Sequence, residues 1–124
     1  MKLFFSNGSS VVGLIQAGTV KAICHTGKGR LKSLPDIPPA SDTVPGFEAY
    51  EWNGVFVPHG TPGPIVRTLN ATINEAIAST EVKERFEQLN IETRANTPDE
   101  FRAFVADQMA RWGKIVKDAN IRLG

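Results

Sequence analysis

The sequence has little that would support a disulfide, a structural metal site or a membrane span. Its 124 residues include one cysteine and two histidines, Cys24, His25 and His59. One thiol excludes an internal disulfide, and these three ligands are too few for a tetrahedral zinc site. No segment reaches the ~18 to 20 apolar residues of a membrane helix, and the first residues fall short of the ~7 to 15 apolar residues of a signal peptide. As written, the sequence predicts a cytoplasmic chain that needs no metal or cofactor.

Neither sign of charge dominates. Fourteen lysines and arginines oppose thirteen aspartates and glutamates, which gives a formal net charge of +1. Because the basic residues are scattered, the sequence lacks the clustered basic patch that is typical of a protein that binds nucleic acid or an anionic membrane. The 41% hydrophobic and 22% charged residues are typical of one soluble domain. At this length, we expect folding to bury roughly two-thirds of the unfolded surface in a core.

The first 26 residues predict a strand, a short helix and a second strand. Residues 2–6 contain a short apolar run, Leu3-Phe4-Phe5, that is closed by Asn7-Gly8, a pair typical of a turn. A helix follows, which Ser9 or Ser10 can cap and which Gly18 can end. Residues 20–26 then predict the second strand. In such a βαβ unit the two strands are parallel neighbours.

Proline and glycine interrupt the middle of the chain. Residues 27–46 contain four prolines and predict a long surface connection with one helical turn near residues 40–43. Such a long connection is uncommon unless it is functional or packs on something else. Residues 47–57, rich in aromatic and β-branched residues, predict a strand interrupted at Asn53-Gly54. Residues 91–95 predict a weak further strand.

Three helices are predicted in the second half. Thr61 caps the first, which has a proline at its first position, and Thr80 caps the second. The Thr97–Glu100 segment is a capping box that opens the third helix. Its apolar period continues to about Ala119 and places Trp112 in the core. Strands that lead and helices that follow indicate an α/β fold.

The loop at the start of the first helix is the best candidate for chemistry. Residues 7–10, Asn-Gly-Ser-Ser, join the end of a predicted strand to a helix start, where free N–H groups and hydroxyls can hold a carboxylate or phosphate. The simpler interpretation is that Asn7-Gly8 makes the turn and a serine only caps the helix. Both interpretations remain open at this point.

No catalytic group of residues can be assembled. Cys24 and His25 are neighbours in a predicted strand, so their side chains point to opposite faces and cannot form the hydrogen bond that activates a thiol. We therefore expect no catalytic residues, no metal site and no enzyme activity.

Eight motifs follow one another in an order that resembles a known family. They are residues 15–22 (IQAGTVKA), 34–38 (LPDIP), 45–47 (PGF), 52–58 (WNGVFVP), 60–66 (GTPGPIV), 69–74 (LNATIN), 97–101 (TPDEF) and 111–116 (RWGKIV). In this order they resemble the carboxy-terminal part of the Bug-type, TctC-like periplasmic solute-binding proteins, which are the receptors of tripartite tricarboxylate transporters. The resemblance covers nearly the whole chain.

This resemblance implies part of a type II periplasmic-binding-protein fold, in which two α/β lobes close on a solute by hinge motion. Residues 1–50 would end the second, ligand-binding lobe and contain the βαβ unit. Residues 51–57 would be a strand that crosses between the lobes, with Trp52 and Asn53 at the hinge. Residues 58–124 would be the helical carboxy-terminal part of the first lobe. A partner lobe would also explain the long connection over residues 27–46.

The resemblance also implies a function without catalysis. The parent protein would bind a small carboxylic acid in the periplasm and deliver it to membrane transporter subunits. Ser6, Asn7, Ser9 and Ser10 would contact the solute carboxylate through hydroxyl and backbone N–H groups. The chain differs from many relatives in three places, with Ser6 in place of an acidic residue, Cys24-His25 in place of a small apolar pair and Asn90 in place of a glycine. The alternative is a stand-alone or self-associating α/β module without a ligand, whose apolar faces form a homo-oligomer.

Overall fold

Regular structure in the protein is almost entirely helical. The structure is a computed structural model that describes residues 3–31 and 34–122. Its helices, in chain order, are α1 (Gly8–Gln16), a 3₁₀ turn (Ala40–Asp42), α2 (Gly63–Ala78), α3 (Thr80–Gln88) and α4 (Pro98–Asp118). The chain divides into two units. Unit 1 comprises Met1–Phe56 and Ser79–Thr93, and unit 2 comprises Val57–Ala78 and Arg94–Gly124.

The predicted strands do not form a sheet among the described residues. The segments expected to be strands lack the paired hydrogen bonds of a ladder, and Lys2, in the first of them, lies outside the described residues. The bridges present are isolated: His25 pairs with Pro39 in parallel, and Leu31 pairs with Leu34 in antiparallel fashion. The expected parallel pair of residues 2–6 and 20–26 is therefore not formed. Apolar and β-branched residues favour an extended backbone, but a strand also needs a neighbour to accept its hydrogen bonds.

In unit 1 the long connection folds back on the segment around His25. The backbone N–H of His25 donates to the carbonyl of Pro38 at 3.0 Å, and the N–H of Ala40 donates to the carbonyl of His25 at 2.7 Å. The N–H of Ala49 reaches the carbonyl of Thr26 at 3.0 Å. The helical turn predicted near residues 40–43 is confirmed as the 3₁₀ turn.

In unit 2, α2 packs against α4, and side-chain amides hold the segment before α4. The Nδ2 groups of Asn70 and Asn74, one turn apart on α2, both donate to the carbonyl of Asn96 at 2.9 Å. The N–H of Asn96 donates back to Asn74 Oδ1 at 3.4 Å. Because Asn96 immediately precedes the cap of α4, this cluster fixes where α4 begins relative to α2.

The cap of α4 is the one that the sequence predicts correctly. Thr97 Oγ1 accepts from the N–H of Glu100 at 3.2 Å, and the N–H of Thr97 donates to Glu100 Oε2 at 2.8 Å. The helix ends at Asp118, with Ala119 as its C-cap, as expected. This box satisfies two N–H groups that the helix itself leaves without partners.

The other predicted caps are wrong by a small shift. Asn7 is the N-cap of α1 in place of Ser9 or Ser10, and Ser79 is the N-cap of α3 in place of Thr80. The Thr61 hydroxyl donates to the carbonyl of Pro58 at 2.8 Å, and α2 begins at Gly63. Serine, threonine and asparagine are all good cap residues, so a run of them does not define the first residue of a helix.

The expected hydrophobic core is not present in the described residues, and no buried hydrophobic side chain is found among them. Trp112, predicted to be in the core, is 40% exposed. The helices therefore present apolar faces that this chain leaves in contact with solvent.

Candidate functional site

The loop over residues 6–10 presents several hydrogen-bond donors to solvent. Asn7 takes the N-cap position with φ −72° and ψ 144°, and its side chain makes no cap hydrogen bond. The N–H of Ser10 donates to the carbonyl of Asn7 at 3.1 Å. Ser6, Asn7, Ser9 and Ser10 are all exposed. Within the described part of the chain, their side chains have no hydrogen-bond partner, so no serine caps α1, and the choice between a structural loop and an anion site stays open.

Glycine at position 8 lets this loop approach the end of α3 in the same unit. A Cβ atom added to Gly8 would lie 3.3 Å from the Cβ of Asn90, which is closer than most such contacts. Asn90 follows the C-cap residue Leu89 and has φ +55°. That left-handed conformation is one that glycine adopts freely and asparagine tolerates. The positive φ at position 90 therefore explains why a glycine is expected there in relatives.

The start of α1 favours an anion. Helix α1 has no acidic residue in its first turn, so its N–H groups and the positive end of its dipole are not offset locally. The sequence from Leu3 to Gln16 has no titratable side chain. The loop can therefore hold a carboxylate or phosphate by hydrogen bonds, but it offers no group for proton transfer or nucleophilic attack.

The predicted hinge residues lie in an extended segment of unit 1. Residues 51–57 have no helix or strand. Trp52 is half-buried and Asn53 is exposed. The chain passes from unit 1 to unit 2 within this segment, between Phe56 and Val57. A hinge role for Trp52 and Asn53 stays a prediction.

Sequence reasoning missed a groove in unit 2. It has a volume of about 440 Å³, and it lies where α2 and α4 begin. Its lining residues are Thr61, Gly63, Val66, Arg67, Pro98, Asp99 and Arg102. The available signal was an arginine at the fifth position of both helices, Arg67 and Arg102, where the helix dipole disfavours a cation.

Three further findings concern metal ions, the membrane and the cysteine. Over residues 3–31 and 34–122, no three side chains among His, Cys, Asp and Glu are grouped so as to hold a metal ion. In the same residues, every helix is too short or too polar to cross a bilayer. Cys24 is exposed and unpaired.

Comparison with known proteins extends the family resemblance. The profile of the tripartite tricarboxylate transporter family receptor matches residues 3–121. The chain is 38% identical over 104 residues to a UPF0065 protein from the tcbD-tcbE intergenic region of Pseudomonas sp. strain P51. It is 32% identical over 118 residues to protein BugT of Bordetella pertussis. It is also 32% identical over 104 residues to a UPF0065 protein from the clcB-clcD intergenic region of Pseudomonas knackmussii.

These matches cover most of the chain but only part of each relative. They span 82%, 94% and 82% of the chain, in the same order, and 31%, 36% and 62% of the relatives. The chain therefore spans about one third of the length of the first two. The residues quoted for the resemblance fall within the matched range. The chain belongs to the tripartite tricarboxylate transporter receptor family, whose curated members include the Bug-type protein BugT.

Proposed function

We propose that this chain is part of an extracytoplasmic receptor that binds a small carboxylic acid in the periplasm for a tripartite tricarboxylate transporter. Membership of the receptor family supports the transport role. The observation that carries the proposal is that residues 6–10 have exposed hydrogen-bond donors whose side chains have no partner in the described residues. These donors support a carboxylate as the ligand. The membrane subunits of the transporter are the proposed partners.

The donors of this loop suit a carboxylate. An ionised carboxylate accepts hydrogen bonds at two oxygens, and such charge-assisted bonds are stronger than neutral ones. Ser6, Ser9 and Ser10 supply hydroxyl donors, and the first turn of α1 supplies backbone N–H groups. Because the site lacks proton-transfer groups, it suits reversible binding without a chemical step.

In this proposal the chain contributes one side of a two-sided site. Residues 1–50 are assigned to the ligand-binding lobe, residues 51–57 to the crossing segment and residues 58–124 to the other lobe, although residues 79–93 group with unit 1 in the structure. Trp52 and Asn53 absorb the hinge motion. Pockets for small ligands bury about 70 to 90% of the ligand surface, which an exposed loop does not do. We therefore expect the chain alone to bind a carboxylate with a dissociation constant of about 1 mM, equivalent to about 4 kcal/mol.

A titration followed by amide chemical shifts tests this proposal. Succinate and citrate are added to the full chain at constant ionic strength. We expect saturable shifts at the amides of residues 6–10, and we expect the double variant Ser9→Ala, Ser10→Ala to weaken binding several-fold. Thr19→Ala removes an exposed hydroxyl just after α1 and serves as the control. Shifts that do not saturate, or equal affinity in the double variant and the control, would refute the role of this loop.

A second candidate function is self-association without a ligand. It is favoured by the apolar side chains that the chain leaves exposed, among them Phe5 at 85%, Ile23 at 65% and Met109 at 71%. Light scattering after size exclusion distinguishes the two functions, because a stable dimer that ignores carboxylates supports the module and a monomer that binds them supports the receptor.

A further inference from the structure

The groove of unit 2 contains more positive than negative charge. Arg67 comes from α2, and Arg102 comes from α4. Arg102 Nη1 forms an ion pair with Asp99 Oδ1 at 2.6 Å. Arg67 has neither an ion pair nor a hydrogen bond through its guanidinium among the described residues. Two guanidinium groups and one carboxylate give the groove a net charge of +1, which a single further carboxylate would balance.

Both arginines lie near the start of their own helix, where the positive end of the helix dipole interacts unfavourably with a cation. Each occupies the fifth position of its helix, close to the positive end of the dipole. A side chain on a helix leans toward the helix start, so both guanidinium groups lie beside it. Asp99 and Glu100 offset this charge in α4, but α2 has no acidic residue in its first turn. A bound anion would remove the unfavourable interaction in α2.

The remaining lining fits a small organic molecule. A Cβ at Gly63 would lie 3.3 Å from Arg67 Nη1, so glycine leaves room for this guanidinium to fold over the start of α2. The N–H groups of Gly63 and Asp99 donate no hydrogen bond in the described residues. Val66 and Pro98 add apolar surface. The groove has a volume of about 440 Å³ and is open to solvent, since the side chains of Arg102 and Asp99 are 78% and 85% exposed, so it can cover only one side of a small ligand.

From these observations we infer that the groove between the starts of α2 and α4 is a second anion site, and that it takes a small organic carboxylate. The carboxylate forms two parallel hydrogen bonds with the guanidinium fork of Arg67. It also contacts Arg102, which is paired with Asp99, while the carbon part of the ligand lies on Val66 and Pro98. This inference is independent of the proposed receptor function, because the groove belongs to unit 2 and residues 6–10 belong to unit 1.

The same succinate titration of the full chain tests the groove with different reporters. We expect saturable shifts at the amides of Gly63 and Asp99 and at the Nε of Arg67. Arg67→Gln should weaken binding at these reporters about tenfold, because a charge-assisted bidentate contact is lost. Arg67→Lys keeps the charge without the fork, so it should weaken binding less. Lys117→Gln removes one positive charge from the far end of α4 and should change the affinity by less than about twofold.

Asp99→Asn provides a test in which binding should become tighter, a result that damage to the fold would not produce. It removes the carboxylate that competes for Arg102, so we expect succinate to bind several-fold more tightly. An absence of shifts at Gly63 and Asp99, or equal affinity in wild type and Arg67→Gln, overturns the inference. Shifts confined to residues 6–10 overturn it while leaving the receptor proposal supported, and shifts confined to the groove do the reverse.

Discussion

Loss of the Thr97 hydroxyl should loosen the start of α4 by an amount that can be calculated. The helix has 21 residues and a length of ~31 Å, and its first turn depends on the capping box. Thr97→Ala removes the acceptor of the Glu100 N–H and one of the donors to Glu100 Oε2. Because the box is exposed, water can replace these partners, so we expect a loss of about 1 kcal/mol, the typical value for a cap substitution.

Amide hydrogen exchange measures this effect where it occurs. A loss of about 1 kcal/mol corresponds to an about fivefold decrease in the protection of amides in the first turns of α4, with little change in α1 or α3. Thr97→Ser keeps the hydroxyl and should retain most of the protection. Thr68→Ala is the matched control, since the Thr68 hydroxyl donates only to the carbonyl of Pro64 at 3.1 Å within α2. Equal protection in Thr97→Ala and wild type would refute the capping argument.

Three further predictions concern pH, the amide cluster and helix α1. Hydrogen bonds from Thr97, first from its N–H and then from its hydroxyl, lower the pKa of Glu100. The stability from this carboxylate is therefore present above its ordinary pKa of about 4.3 and is lost as the pH falls through the lower folded value, so urea titrations should show the difference between wild type and Glu100→Gln shrinking in acid. Asn74→Ala should destabilise unit 2 by about 1 to 3 kcal/mol in urea, because it leaves the N–H of the half-buried Asn96 without its acceptor; an unchanged midpoint would contradict this. Gly13→Ala should raise the helicity of α1 by circular dichroism, since nothing lies within 4 Å of an added Cβ, whereas Gly18→Ala, in similarly open space but at φ +69°, should cost about 1 to 2 kcal/mol. Equal effects of the two glycine substitutions would show that backbone conformation does not decide the outcome.

The helices could be predicted because their signals are local. The capping box at Thr97 and the apolar period that follows define α4 within a residue or two. Gly18 was expected just after α1, and it follows the C-cap Ala17 with φ +69°. Helical hydrogen bonds join residues four apart, so nearly everything that determines a helix lies within its own segment.

The sheet could not be predicted in the same way, because strand pairing depends on residues far away in the chain. Residues 47–57 have the composition of a strand but no ladder. The prediction that Trp112 lies in a core was wrong for a related reason. The apolar period of α4 predicts a buried face but does not say what covers it.

Of the two candidate sites, the loop at residues 6–10 was found from its position before α1. The groove was missed because Arg67 and Arg102 are 35 residues apart in sequence and are brought together only by the packing of α2 on α4.

The unpaired extended segments have a consequence for how this polypeptide behaves once it is synthesised. Leu3 and Phe5 are 64% and 85% exposed, and Val55 and Phe56 are 66% and 65% exposed, in stretches whose backbone groups have no ladder to join. Such stretches are templates for intermolecular strand addition and amyloid-like aggregation. At high concentration the isolated chain should precipitate through these stretches, and chaperones or proteases should recognise them first.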